Sequence, residues 1–155
     1  MRPYEVFASR FGAKVAFNSQ FILEKSQRFY LLNPRLKKVG QKDFFYAGLY
    51  LGKVGKNGGF FPSFNLLNML VDVAANKVVV NQKAAWLFIC GRDVFPRGVV
   101  KVMGSKRKGD ATLVLNELGE CLGFGKIMEG FSVSDVEVAV QNVLDVGDFL
   151  RRERT

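Results

Sequence analysis

The chain has 155 residues, 48% of them apolar, and 23 Lys/Arg against 14 Asp/Glu, for a formal net charge of +9. That apolar share can build the core of one ordinary domain or two small ones and excludes global disorder. The chain has no histidine, which excludes Ser-His-Asp and Cys-His catalysis and His-ligated zinc, and two isolated cysteines cannot close a structural zinc site.

Met1-Arg2-Pro3 leads into a predicted helix over 4–11, with Val6, Phe7 and Phe11 on one face and Gly12 as its stop. The runs 21–23 and 28–32 flank Glu24-Lys25-Ser26-Gln27 and predict a hairpin. Asn33-Pro34 has the form of a cap and first helical position, opening a short basic helix through Lys37-Lys38. The aromatic-rich run 44–51 predicts a central strand, and the glycines of 52–59 predict a turn. Ser63 is a cap for a helix over 64–75, with Phe64, Leu67, Leu70 and Ala74 at helical spacing.

A domain boundary is placed at Asn76-Lys77, giving units of 1–75 and 76–155, although no long linker marks it. Beyond it, 78–80 reads as a strand and 82–90 as a helix ended by Gly91. Strands follow at 99–103 and 112–115, joined by a loop containing Lys106-Arg107-Lys108. Gly119-Glu120 turns into a strand over 121–127, and 136–144 alternates as a strand should. Short strands at regular spacing predict a small barrel. The expected class is α+β: an N-terminal α/β domain with a mainly antiparallel sheet, then a small mixed β-barrel.

No apolar run approaches the ~18–20 residues that span a bilayer. The N-terminal segment carries Glu5, Arg10 and Lys14 rather than a signal-type apolar core. A soluble, unexported chain without membrane contact is expected, with Cys90 and Cys121 as buried free thiols.

Charge is segregated. Residues 1–108 hold 19 basic and 5 acidic side chains; residues 109–155 hold 4 and 9. Such a surface concentrates polyanions. Within it, Arg92 and Arg97 bracket a loop after a helix, beside Gly91 and Gly98, which let a nucleic-acid backbone approach. Lys101 and the run Lys106, Arg107, Lys108 are further RNA candidates. Trp86 and Phe95 offer stacking faces but sit in apolar patterns that assign them to the core.

Other constellations carry less. The turn around Lys53 fails the P-loop pattern, because Val54 stands where a hydroxyl must hold magnesium. Gly123-x-Gly125 fails the dinucleotide fingerprint at Met128, which leaves its glycines a structural role. Asp145 and Asp148 have no visible pocket for acid–base work, so surface or capping roles are expected. No catalytic residue, metal site or cofactor is predicted.

Three patterns occur in fixed order: Gly-Arg-Asp-Val-Phe-Pro-Arg-Gly-Val (91–99), Leu-Gly-Phe-Gly-Lys (122–126) and Asp-Val-Gly-Asp-Phe-Leu-Arg-Arg (145–152). Together they resemble the PUA domain, a small RNA-binding barrel, over nearly all of 76–155. The run 83–94 is similar to the first PUA helix and its exit, and 122–126 with Val146-Gly147-Asp148 is similar to the late PUA strands. With Met1-Arg2-Pro3, Arg28-Phe29-Tyr30, Leu51-Gly52-Lys53, 64–70 and 73–80, the whole chain resembles the nuclear import protein seven family of large-subunit ribosome biogenesis factors, in its shorter archaeal form.

That resemblance implies a non-enzymatic, monomeric factor that binds pre-rRNA or uridine-rich single-stranded RNA and contacts other ribosome assembly proteins. It implies a cytoplasmic setting in an archaeon, and a nuclear or nucleolar one in a eukaryote. Basic residues after the Leu-Gly-Phe-Gly strand serve RNA in that family. Here Lys126 matches, whereas 129–135 contain no Arg or Lys. The implied RNA surface therefore falls on Lys126, Arg151 and Arg152 together with Arg92 and Arg97. Two rival readings stay open: an RNA-modification enzyme or its accessory subunit using the PUA domain to dock RNA, for which the N-terminal half offers only Asp43 and Asp72, and an adaptor whose acidic C-terminal edge docks a basic protein.

Overall fold

The computed structural model describes residues 1–33, 35, 48–128, 131 and 137–152, with the backbone alone at 149, 150 and 152. Helix α1 (Pro3–Ser9) is followed by a 3-10 turn (Ser19–Phe21) and the strands β1 (Ile22–Lys25), β2 (Arg28–Leu31), β3 (Leu49–Val54) and β4 (Phe60–Pro62). Helix α2 (Phe64–Leu70) then leads to β5 (Lys77–Val80), α3 (Gln82–Ile89), a 3-10 turn (Pro96–Gly98), β6 (Val99–Met103), β7 (Ala111–Leu115), β8 (Cys121–Ile127), β9 (Val140–Asp145) and α4 (Val146–Arg152). One sheet is antiparallel in the order β1-β2-β3-β4. The other has the order β6-β5-β7-β8-β9 and is mixed, because β5 and β7 run parallel. The α+β class and the antiparallel-then-mixed arrangement are as the sequence predicts.

Several boundaries differ for identifiable reasons. Helix α1 buries Tyr4, Phe7 and Ala8, with Phe11 just beyond its end, whereas Val6 is exposed; the i, i+3, i+4, i+7 face starts at Tyr4. The β1–β2 hairpin closes on Ser26 and Gln27, both at positive φ, which keeps Glu24 and Lys25 inside the strand. Residues 52–54, predicted as turn, continue β3: Phe29 pairs with Gly52 and Tyr30 with Tyr50, so Leu51 is the extra residue of a bulge in β3, beyond which Gly52 and Lys53 stay paired with β2. Helix α2 is capped by Ser63, whose hydroxyl accepts from the Leu66 N–H at 3.2 Å. It stops at Leu70 rather than 75, and the Lys77 ammonium donates to the Val71 carbonyl at 2.8 Å beyond its end. Residues 146–148, likened to a strand, open helix α4. The predicted basic helix after Asn33 and the first part of the strand predicted over 44–51 lie outside the described residues, as does Val136.

One aromatic-rich core joins material from both sides of residue 76. Tyr4, Phe7, Phe11, Phe29, Leu51, Leu66, Leu67 and Leu70 pack with Leu113, Leu115 and Phe124. A second cluster, inside the mixed sheet, holds Val78, Val80, Phe88, Val94, Val114 and Val140. Asn76 is itself buried between the halves. Its amide donates to the Ala111 carbonyl at 3.2 Å, and its side-chain oxygen accepts from the Ser105 N–H at 3.0 Å. Its backbone N–H meets the Phe11 carbonyl at 3.0 Å.

The cysteines depart from expectation: Cys90 is exposed and Cys121 is half-buried. Cys90 is the C-cap of α3, on the outer side of a helix that packs inward through Phe88.

Candidate nucleic-acid interface

Asn81 caps α3 by accepting the Ala84 N–H at 2.9 Å, and its amide donates to the Arg97 carbonyl at 3.4 Å. Gly98 lies so close to Ala84 that a β-carbon there would collide with the alanine methyl. The helix is thus bound to the turn that carries Arg97. On its other side, Val94 exchanges backbone hydrogen bonds with Val140 of β9 at 2.8 and 3.1 Å. The Gly98 carbonyl accepts from Asn81 at 2.8 Å just before β6 begins. Segment 94–98 therefore straps β9 to β6, the two outer strands of the mixed sheet, and closes the barrel.

That strap puts Phe95 and Arg97 on the rim. Both aromatic residues assigned to the core are instead on the surface, Trp86 at 65% exposure and Phe95 at 42%. The reason lies in α3: Ala84, Ala85, Phe88 and Ile89 form its inward face, so Trp86 and Leu87 point away. The helical spacing of the two alanines against Phe88 and Ile89 is the signal that marks this face. Arg92 follows Gly91, which sits at φ +91°. Its carbonyl accepts from the Asn142 amide at 3.3 Å, and Asp93 accepts the Asn142 backbone N–H at 2.8 Å.

From Arg97 the basic stripe continues along β6, an edge strand, to exposed Lys101 and then to the 104–110 loop. Five residues of strand carry it about 16 Å. In that loop the Ser105 hydroxyl donates to Asp110 at 2.5 Å, and the Arg107 guanidinium lies 3.4 Å from the same carboxylate. The Ser105 hydrogen bond, followed by Arg107, holds the Asp110 carboxyl below its ordinary pKa. Arg107 is thereby partly committed, while Lys106 and Lys108 remain exposed beside it. Lys126 of β8 runs its aliphatic chain past Gly109. The structure thus brings the lysine run and Lys126 to one end of the barrel and places Arg92, Phe95 and Arg97 in the segment between α3 and β6 at the other, with Lys101 between and Trp86 exposed on α3.

Arg151 lies beside Gly91, next to Arg92, but its guanidinium is engaged within the fold. Its guanidinium donates to the Ile89 carbonyl at 2.8 Å and to both oxygens of Asp145 at 3.1 and 3.0 Å. Asp145, expected as a surface or capping residue, is buried and also caps α4 by accepting the Asp148 N–H at 2.9 Å. The Arg152 side chain and Asp43 lie outside the described residues, and Asp72 is an exposed turn residue.

Gly123 and Gly125 are places of close backbone approach: β-carbons there would strike the carbonyls of Leu144 and Gln141 on β9. That is the structural role assigned to them.

Comparison with known proteins agrees with this architecture. Residues 76–154 match the family model for the UPF0113 PUA domain. A UPF0113 protein of Archaeoglobus fulgidus is 30% identical over 136 residues, which is 85% of this chain and 76% of the relative. A conserved PUA domain protein of Thermoplasma acidophilum superposes with a TM-score of 0.63 at 22% identity, over 96% of this chain and 90% of that one. A PUA domain protein of Aeropyrum pernix K1 gives 0.61 at 19%, over 94% and 82%.

Proposed function

The chain belongs to the UPF0113 PUA domain family, whose PUA domain is an RNA-binding module, and from that premise we propose that it is a non-catalytic factor binding pre-ribosomal RNA during large-subunit assembly. The collinear resemblance to the nuclear import protein seven family supports the ribosomal role, the preference for uridine-rich single strands and the company of other assembly proteins. In an archaeal cell that work is cytoplasmic.

One observation carries the RNA reading: exposed Phe95 lies between exposed Arg92 and Arg97 in the segment after α3, which itself presents Trp86 to solvent, and the cationic stripe leads on through Lys101. Aromatic faces stack on unpaired bases and arginines meet phosphates, whereas a merely solvated basic surface has no use for an exposed tryptophan. Binding then proceeds by electrostatic capture along β6, with the aromatic pair fixing splayed bases.

The test is titration of a uridine-rich single strand at several salt concentrations. The logarithm of affinity should fall linearly with that of salt, at about 0.7 per phosphate contacted, and Arg92→Ala with Arg97→Ala should lower both affinity and slope. Affinity independent of salt would refute the proposal.

A further inference from the structure

The four-stranded sheet turns one face to the aromatic core and presents cations on the other. Register pairs Lys25 with Arg28, Arg28 with Lys53, and Lys53 with Phe61, so these four residues form one row across the sheet. Side chains at directly paired positions stand about 5 Å apart, and like charges there destabilise the sheet. Neither Arg28 nor Lys53 has a carboxylate partner among the described residues.

This row borders a cavity of about 490 Å³ between the sheet and the barrel, within the size range of small-molecule sites, about 300–1,000 Å³. Arg28, Lys53, Tyr50 and Phe61 line it from the sheet and Asn65 from α2; Asp148 of α4 also lines it. The aromatic walls are held in place. Tyr50 packs on buried Tyr30 with ring centroids 5.4 Å apart, and its carbonyl takes the Ser63 hydroxyl at 2.5 Å and the Asn65 amide at 3.3 Å. Phe61, 51% exposed, lies over Gly55, where a β-carbon would come within 2.6 Å of its ring.

We propose that this cavity binds one nucleotide of a single-stranded RNA, its phosphate on Arg28 and Lys53 and its base against Phe61. The proposal rests on the RNA-binding reading above and adds a second subsite, away from the barrel rim. The juxtaposition of two exposed cations with an exposed aromatic face is the combination single strands need. Asp148 sets the direction. It repels a phosphate from the barrel wall. An acidic peptide would satisfy the cations but bring no base to stack on the exposed Phe61 ring, so RNA is the better occupant.

The experiment uses the full chain and a labelled single-stranded oligoribonucleotide, read by fluorescence anisotropy, with folding checked by thermal melting. Arg28→Ala with Lys53→Ala should weaken binding about tenfold and flatten the salt dependence by about 0.7 per phosphate released. Phe61→Ala should weaken it by a similar factor and erase the preference for an intact over an abasic strand. Arg28→Lys with Lys53→Arg keeps the charge and should bind within about twofold of wild type.

If Arg92→Ala with Arg97→Ala weakens binding while the Arg28, Lys53 and Phe61 variants bind as wild type, the cavity proposal falls and the RNA reading stands. If the wild type binds no single-stranded RNA, both fall. Preferential binding of a poly-glutamate peptide, lost in the Arg28 and Lys53 variant, would replace RNA by a protein ligand.

Discussion

Arg151 reaches back from the C-terminal helix to Asp145, six residues earlier, and contacts both oxygens of a carboxylate that is only 3% exposed. The same guanidinium closes the end of α3 through the Ile89 carbonyl. The pair thus fastens α4 to the barrel, and removing the arginine leaves a buried charge supported by the Asn142 amide and the Asp148 N–H.

Arg151→Ala should therefore lower stability in urea denaturation. The cost should be about 2 kcal/mol, below the 3–5 kcal/mol of a fully buried pair because Arg151 is itself close to half exposed. At temperatures where the variant is folded, its RNA affinity should match wild type within about twofold. A large loss of affinity without loss of stability would return Arg151 to the RNA surface.

Trp86 is the only tryptophan of the chain, so its emission reports on the exposed side of α3 alone. Binding of a single strand should quench it by stacking. Trp86→Ala and Phe95→Ala should each weaken binding about tenfold; Trp86→Ala should move stability by no more than about 0.5 kcal/mol, because that ring is largely in solvent, whereas Phe95→Ala, at a residue 42% exposed, should cost about 1 kcal/mol. Unchanged emission on saturation with RNA would place the bound strand elsewhere.

The two thiols should separate kinetically. Burial pushes the Cys121 thiol up to about 11, so at pH 8 only about one part in a thousand is thiolate. Cys90 is exposed. Limiting maleimide at pH 8 should give a single adduct mapped to Cys90 by peptide mass spectrometry, with Cys121 labelled only on unfolding. Two adducts forming at similar rates would contradict the burial of Cys121.

Gly123 and Gly119 form a matched test of backbone space. Both have positive φ, +147° and +82°. A β-carbon at Gly123 would strike the Leu144 carbonyl on β9, whereas one at Gly119 meets nothing within 4 Å. Gly123→Ala should cost more than about 3 kcal/mol, and Gly119→Ala about 1 kcal/mol. Thermal melting of the two variants reads the difference directly.

The sequence made the element types legible wherever local pattern and local structure agree. Ser63 and Asn81 cap helices as their neighbours suggest, and Val78 and Val80 alternate inward on β5. It misled where a distant partner decides. Asp145 reads as a surface or capping carboxylate; the capping role is present, and what the pattern does not show is its burial, where Arg151 joins it to the Ile89 carbonyl of α3. Trp86 reads as core because Trp-Leu-Phe-Ile is an apolar run, yet only one side of α3 meets the barrel. Gly52 reads as a turn because its place in the strand is set by pairing with Phe29 of β2, next to a bulge at Leu51. The candidate surface was legible as charge, and its aromatic half emerged only with the direction of α3.

Phe124, from the glycine-flanked strand of the barrel, stands edge-on against Phe7 at 5.4 Å and Phe11 at 5.5 Å in the N-terminal helical segment. A wedge of that kind ties the two halves through a shared core, and a strand that spans them meets both at the spacing this packing sets. The interval between the barrel rim and the cavity beside Arg28 is then set by the fold. A strand occupying both must supply the matching number of nucleotides, so the protein would act as a ruler: shorter oligonucleotides hold one end only, and affinity rises in a step once the length suffices.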